Sequence, residues 1–223
     1  MISPTDSEHR PVRLTRKESR ERTRRDLVAA AIELFAAQGV SGSPLNAVAE
    51  HAGFSRGAVH GNFSGKDELA RAVVHSVSND LGAQLAEALS RAASSRTRLA
   101  DYITTSMDYS RAKPASAAAI VAAVGYLSRN GTESYEDRAR DSVGDLIALF
   151  EDGQRLGEMR RFDPLTMALA LRSVLDTAAA SLSSSSRAPV GASRTEAMTA
   201  EFVSLFDHAT RSTTNAAPEG THL

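Results

Sequence analysis

Cysteine is absent from this 223-residue sequence, which excludes disulfides, thiolate zinc sites and cysteine nucleophiles and suits a reducing compartment. Net charge is almost absent too. With 26 Lys and Arg against 27 Asp and Glu the chain is no polycation, so any attraction to nucleic acid must be local. The N-terminus has no apolar signal core and no later apolar run approaches bilayer length, which leads to the expectation of a cytoplasmic chain with no membrane partner. Alternating β-rich segments are missing, which favours an all-α fold. The six histidines, His9, His51, His60, His75, His208 and His222, show no H-E-x-x-H or other close metal spacing, and no glycine-rich phosphate loop follows a strand. Neither metal nor cofactor is expected, and enzyme chemistry is disfavoured.

One stretch runs against that reading. In "AGFSRGAVHGNF", residues 52–63, Gly53-Phe54-Ser55-Arg56-Gly57 matches the G-x-S-x-G pattern of a serine hydrolase nucleophile. That pattern has meaning where a buried strand turns sharply into a helix. Here the preceding Leu45, Val48, Ala49 and Ala52 fall on one helix face, so the context is helix, turn, helix. Ser55 then has a structural task as the N-cap of the following helix, its hydroxyl accepting a backbone N–H.

What is present is helical period, punctuated by breakers. A first helix is expected from about Arg24 to Gln38, with Leu27, Ala30, Ala31, Leu34 and Phe35 as its apolar stripe and Gly39 ending it in the left-handed conformation. Ser43 as N-cap and Pro44 as first residue open the second, over Leu45 to Ala52. The third follows Ser55 and buries Val59 and Phe63. The fourth starts with Ser64 and Asp67 in capping relation and runs to near Ser94 on leucines and valines four apart. Further helices are expected at about Arg96 to Ala112, Pro114 to Arg129, Ser134 to Leu156, Pro164 to Leu182 and Arg194 to Arg211, about nine in all.

Charge is segregated along the chain. From Met1 to Arg25 there are eight Lys or Arg against four acids, while residues 26–223 hold eighteen against twenty-three. A flexible basic arm over residues 1–16 would follow phosphates or enter a groove beside a DNA-reading unit.

Three linked segments, "AAIELFAAQGV", "LNAVAEHAGFSRGAVHGNF" and "SGKDEL", in that order and spacing, resemble the DNA-binding domain of the tetracycline-repressor (TetR) family of bacterial regulators over roughly residues 20–75. The resemblance implies a three-helix helix-turn-helix domain at 17–66, a helical ligand-binding and dimerisation domain at 67–211 and a tail at 212–223. It implies base or near-base contacts from Arg56, Gly57, Ala58 and His60 near the Ser55 cap, and phosphate contacts from Ser43, Asn62 and Lys66. Arg56 is the expected guanine reader, since its planar fork can pair with O6 and N7 together. His60 and Gly61 depart from the family's usual tyrosine-bearing pattern, which puts the phosphate contact of a tyrosine hydroxyl in doubt.

For the rest of the chain the resemblance implies a homodimer pairing the eighth and ninth helices, through Met167, Leu171, Val174, Leu175, Ala178, Met198, Phe202, Leu205 and Ala209. It also implies an unidentified small-molecule effector among helices four to seven, near His75, Tyr102, Met107, Tyr109, Tyr126, Phe150 and Gln154. The abundant alanines either leave a cavity there or let helices approach closely. The expected function is a transcriptional repressor on a pseudo-palindromic double-stranded DNA operator, and the alternative is an effector-independent architectural DNA-binding dimer.

Overall fold

The computed structural model describes residues 15–130, 143–183 and 192–212. Among these residues the chain forms nine α-helices and no strand: α1 Arg16–Gln38, α2 Leu45–His51, α3 Arg56–Asn62, α4 Lys66–Ser90, α5 Ser95–Ala112, α6 Pro114–Asn130, α7 Gly144–Arg155, α8 Pro164–Ser183 and α9 Ala192–Thr210. Most of the expected arm, the first part of the expected helix 134–156, much of the serine-rich stretch after α8 and nearly all of the tail lie outside the described residues.

Helix α1 starts about two turns before the expected Arg24. Its N-terminus is a capping box. The Thr15 hydroxyl accepts from the Glu18 N–H at 3.3 Å while the Glu18 carboxylate accepts from the Thr15 N–H at 2.7 Å. Apolar periodicity misses these turns because they project beyond the core, whose first buried residue on α1 is Leu27. At the other end Gly39 has φ 71° as expected, but its ψ of 169° is extended rather than left-handed helical, a region open essentially to glycine. Ser43 is not the cap of α2. Pro44 holds that position, and the fully buried Ser43 donates its hydroxyl to the Gly39 carbonyl at 2.8 Å, bracing the turn from inside.

Two apolar clusters hold the chain together. The first joins Leu27, Phe35, Val48, Val59, Phe63, Leu69 and Val73 and is covered by Ala117, Ala119 and Ala123 of α6. These alanines are buried, and α6 packs on both α1 and α4, so their small side chains serve close helix approach. The second gathers Leu99, Ile103, Leu146, Leu171 and Phe206 with Phe150, which meets Phe162 edge-on at 5.4 Å. Helix α4 contributes to both, Leu69 to Val77 in the first and Leu85 in the second. It ends at Ser90 rather than near Ser94, because Ser94 caps α5 by accepting from the Thr97 N–H.

The expectation that no apolar stretch reaches bilayer length does not hold. Pro164–Leu182 is long and apolar enough by length and composition, with mean hydropathy 1.3, and 28% of it is buried within the chain. Its Ala168, Leu171, Leu175 and Ala178 pack into the second cluster, so this is a core helix with apolar surface to spare.

Candidate nucleic-acid interface

Helix α2 is stopped by Gly53, whose φ of 72° lets two bonds close the end: the Gly53 N–H donates to the Glu50 carbonyl at 3.0 Å and the Phe54 N–H to the Ala49 carbonyl at 2.8 Å. Ser55 then caps α3, its hydroxyl accepting from the Ala58 N–H at 3.3 Å. The serine of the hydrolase-like pattern therefore sits between two helices as a cap.

Helix α3 is held from behind and open in front. Val59 and the following Phe63 are buried in the first cluster, while Ser55, Arg56, Gly57, His60 and Gly61 are exposed and Ala58 is half-buried. Three contacts from distant sequence fix its C-terminal end. Arg20 donates to the Gly61 carbonyl at 3.1 Å, Arg24 donates to the Asn62 carbonyl at 2.5 Å, and the Arg24 guanidinium lies over the Phe63 ring at 4.2 Å. Neither Arg20 nor Arg24 is expected in this role from helical period; the T-x-x-E box before them is the sequence signal that α1 extends far enough to reach α3.

The expected phosphate contacts are placed unevenly. The Ser43 hydroxyl is buried and committed to Gly39, so it does not face a ligand. The Asn62 amide donates to the Ala58 carbonyl at 2.8 Å. Lys66 donates to the Ser41 carbonyl at 3.0 Å from a part-exposed position.

The start of α4 is a junction. Ser64 is paired with Glu68 rather than with Asp67: the Glu68 carboxylate accepts from the Ser64 N–H at 2.8 Å, from its hydroxyl, and from Arg24 at 3.1 Å. The bonds from Ser64 chiefly hold the Glu68 carboxyl below its ordinary range. Asp67 instead accepts from the Tyr126 hydroxyl at 2.9 Å, so α6 is tied to α4 where α4 meets the helix-turn-helix.

The residues expected around an effector are distributed over both clusters. Tyr109 lies in the first with Tyr126 packed against it, and Tyr102, Met107 and Phe150 lie in the second. His75 is exposed and pairs with Asn79, and Gln154 donates to the Phe162 carbonyl at 2.8 Å. Gln154 therefore sits beside the Phe150–Phe162 pair, whereas His75 stands at the surface. Of the residues expected at a dimer interface, Leu171, Leu175 and Ala178 are buried in their own chain's core, a correction that follows from the face α8 turns inward. Met167, Val174, Met198, Phe202 and Ala209 are half-buried and Leu205 is 53% exposed.

Tyr109 donates to Asp80 at 3.0 Å, and Lys113 donates to the same carboxylate at 2.5 Å, joining α4 to the end of α5. Burial, and then the bond to Asp80, push the Tyr109 phenol up to about 12, whereas the Lys113 bond holds Asp80 below its ordinary range. The stability gained from a neutral Tyr109 is fully present below the ordinary phenol value of 10.0 and is lost as pH rises through about 12. The Asp80 contribution runs the other way, present above the ordinary carboxylate value and lost as pH falls through its lowered one. In an absorbance titration at the tyrosinate band, Tyr109→Phe is expected to remove the latest step of the folded protein and Asp80→Asn to move it earlier. An unchanged late step in both variants would contradict this assignment.

Residues 27–73 match the family model of the bacterial regulatory proteins of the tetR family. Two relatives from Pseudomonas putida match this region: the HTH-type transcriptional regulator SrpR, 48% identical over 56 residues, and the uncharacterized HTH-type transcriptional regulator TtgW, 45% identical over 64 residues. These matches cover 25% and 29% of this chain and span 26% and 47% of the two relatives. The fold is similar much further: the ketosteroid transcriptional regulator KstR2 of Mycobacterium tuberculosis superposes with a TM-score of 0.65 at 17% identity, over 84% of this chain and 94% of that one. Residues 27–73 thus carry the sequence signature of the tetR family of bacterial regulatory proteins, and the all-helical fold around them is similar to that of a solved transcriptional regulator.

Proposed function

We propose that this chain is a sequence-specific DNA-binding transcriptional regulator, a repressor that acts as a homodimer on a pseudo-palindromic operator and is released by a small, largely apolar effector. The observation that carries the reading is α3 itself: a short helix anchored by Val59, Phe63, Arg20 and Arg24, with Arg56, Gly57 and His60 standing free on its outer side. The second helix of such a unit enters the major groove with its N-terminal residues toward base edges. We take 17–66 as the DNA-binding domain and 67–211 as the effector and dimerisation domain, with α4 common to both cores.

Partner choice follows from α8 and α9, which leave Met167, Val174, Phe202 and Leu205 partly or largely uncovered. A second copy related by two-fold symmetry covers such a face with itself. Effector control is supported by the ties at the start of α4, since Tyr126–Asp67 links α6 to the element that also holds Arg24 and Ser64. A ligand that binds one arrangement of these helices better than the other changes the spacing of the two α3 helices, by no more than its differential affinity for the two states. KstR2 is by its description a ketosteroid regulator, which supports an apolar effector class here. No release of DNA by any such compound would favour the effector-independent architectural dimer.

The test is selection of bound fragments from random duplex DNA by the purified chain. Enrichment of a pseudo-palindrome is the expected result, and no enrichment at low salt would overturn the proposal. Ser55 supplies a companion experiment. Ser55→Ala is expected to cost about 1 kcal/mol of folding stability through loss of the cap. Ser55→Asp keeps an acceptor at the cap and so keeps stability, but sets a carboxylate against the phosphates and weakens DNA binding. Undiminished binding by Ser55→Asp, measured beside its thermal unfolding, would place the DNA elsewhere.

A further inference from the structure

The two N-terminal turns of α1 run beside α3, and between them lies an open cleft of about 450 Å³. Thr15, Arg16, Ser19, Arg20 and Thr23 line one wall, the last four spaced three and four apart so that they share one helix face, and Ala58 and Asn62 of α3 line the other. The donors divide into spent and free. Thr23 donates to the Ser19 carbonyl at 3.0 Å, and the Asn62 amide donates to Ala58. Arg20 uses one nitrogen on Gly61, leaving the rest of its fork. Arg16 and the Ser19 side chain are exposed and hold no partner among the described contacts. Asn62 lines the cleft as a residue, but its Oδ1 is buried and unpaired, so it offers the cleft no acceptor.

We propose that this cleft is a phosphate-binding site that seats one phosphodiester of the DNA backbone in each half-site, held by Arg16, Ser19 and the free donors of Arg20. The inference rests on the DNA-binding reading above. It assigns the task to the first two turns of α1 rather than to the basic residues that precede them in sequence. Two features select DNA backbone as the occupant. The walls carry two guanidiniums and no carboxylate, which is charge-complementary to a phosphate, and the cleft borders the helix whose outer face presents Arg56, so a duplex engaged by α3 brings its backbone alongside. Arg20 bridges the two functions, because the side chain that contacts the phosphate also fixes the C-terminal end of α3.

Lys17 is the control built into the sequence: it adjoins Arg16, carries the same charge, is exposed, and does not line the cleft. The experiment measures affinity of the full chain for its selected operator across a salt series, for Arg16→Ala, Ser19→Ala and Lys17→Ala, with phosphate-ethylation interference on the same duplex. Arg16→Ala is expected to weaken binding about equally on operator and unrelated DNA and to flatten the plot of log affinity against log salt by about 0.9 per half-site. Ser19→Ala gives a smaller loss, and Lys17→Ala changes the slope little. One phosphate per half-site whose ethylation blocks the unaltered chain no longer matters to Arg16→Ala. Equal effects of Arg16→Ala and Lys17→Ala, with no phosphate singled out, overturn the cleft and leave diffuse attraction. Unchanged DNA binding in Arg16→Ala with lost capture of an acidic peptide assigns the cleft to a protein partner and overturns it too. Absence of DNA binding by the unaltered chain instead overturns the regulator reading itself.

Discussion

Arg56→Ala is expected to abolish preference for the selected operator while leaving residual binding to unrelated DNA nearly intact. Arg56 is the first residue of α3, stands fully outside the core, and follows a cap that fixes where the helix begins. With α3 docked in the major groove as proposed, a guanidinium at that position faces base edges, and its two parallel N–H groups match the O6 and N7 acceptors of guanine. A good bidentate pair discriminates by about 1–3 kcal/mol. A dimer uses the residue twice, so the operator loses roughly 2–6 kcal/mol, on the order of 30-fold to 10,000-fold. Because the side chain is exposed, folding stability stays within about 0.5 kcal/mol of the unaltered chain. Repeating the fragment selection with the variant checks it. Recovery of the same sequence with the same strength would move recognition to His60 or Gly57.

Leu205→Asp is expected to convert the dimer to monomer and to take operator binding with it. Leu205 is 53% exposed on α9, among the largest apolar exposures of the described residues. In an isolated chain the change touches water and costs little. In a two-fold interface it buries a carboxylate without a partner, an error that costs about 3–5 kcal/mol per charge, and symmetry repeats it. Helix α9 itself stays in place, because its C-terminal end is pinned by polar contacts: Arg96 to Asp207, and Arg160 to the Ala209 and Thr210 carbonyls at 2.7 and 2.9 Å. Sedimentation equilibrium alongside thermal unfolding separates the two effects. A variant that remains dimeric and keeps operator affinity would show that α9 is not where the copies meet.

Much of the local structure at the candidate interface is legible in the sequence, and the reason is distance along the chain. The Ser55 cap, the turn at Gly53 and the exposure of Arg56 between Val59 and its cap depend on residues three to five apart, where helical period and capping preference act directly. Ser43 departs from its expected role because Pro44 occupies the cap and the serine hydroxyl finds a nearer carbonyl, a competition between two local bonds that composition does not rank. The early start of α1 escapes the sequence for a different reason. Its first two turns face α3 through charged side chains and carry no apolar stripe, so the hydrophobic pattern is silent there. Leu171, Leu175 and Ala178 read as partner-facing because α8 is apolar around much of its circumference, and a pattern without a polar face does not say which side turns inward.

By itself, then, the sequence determined the helices, their breaks, the capped turn before α3 and the free arginine at its start, because each depends on neighbours within a turn or two. Tertiary structure decided what holds α3 at its angle and what α4 answers to. Arg20 meets Gly61 across 41 residues, Lys66 meets Ser41 across 25, Tyr126 meets Asp67 across 59 and Arg96 meets Asp207 across 111. Such pairs carry no local signature: each partner alone reads as an ordinary surface polar group, and packing of α6 and α9 against the rest brings them within reach.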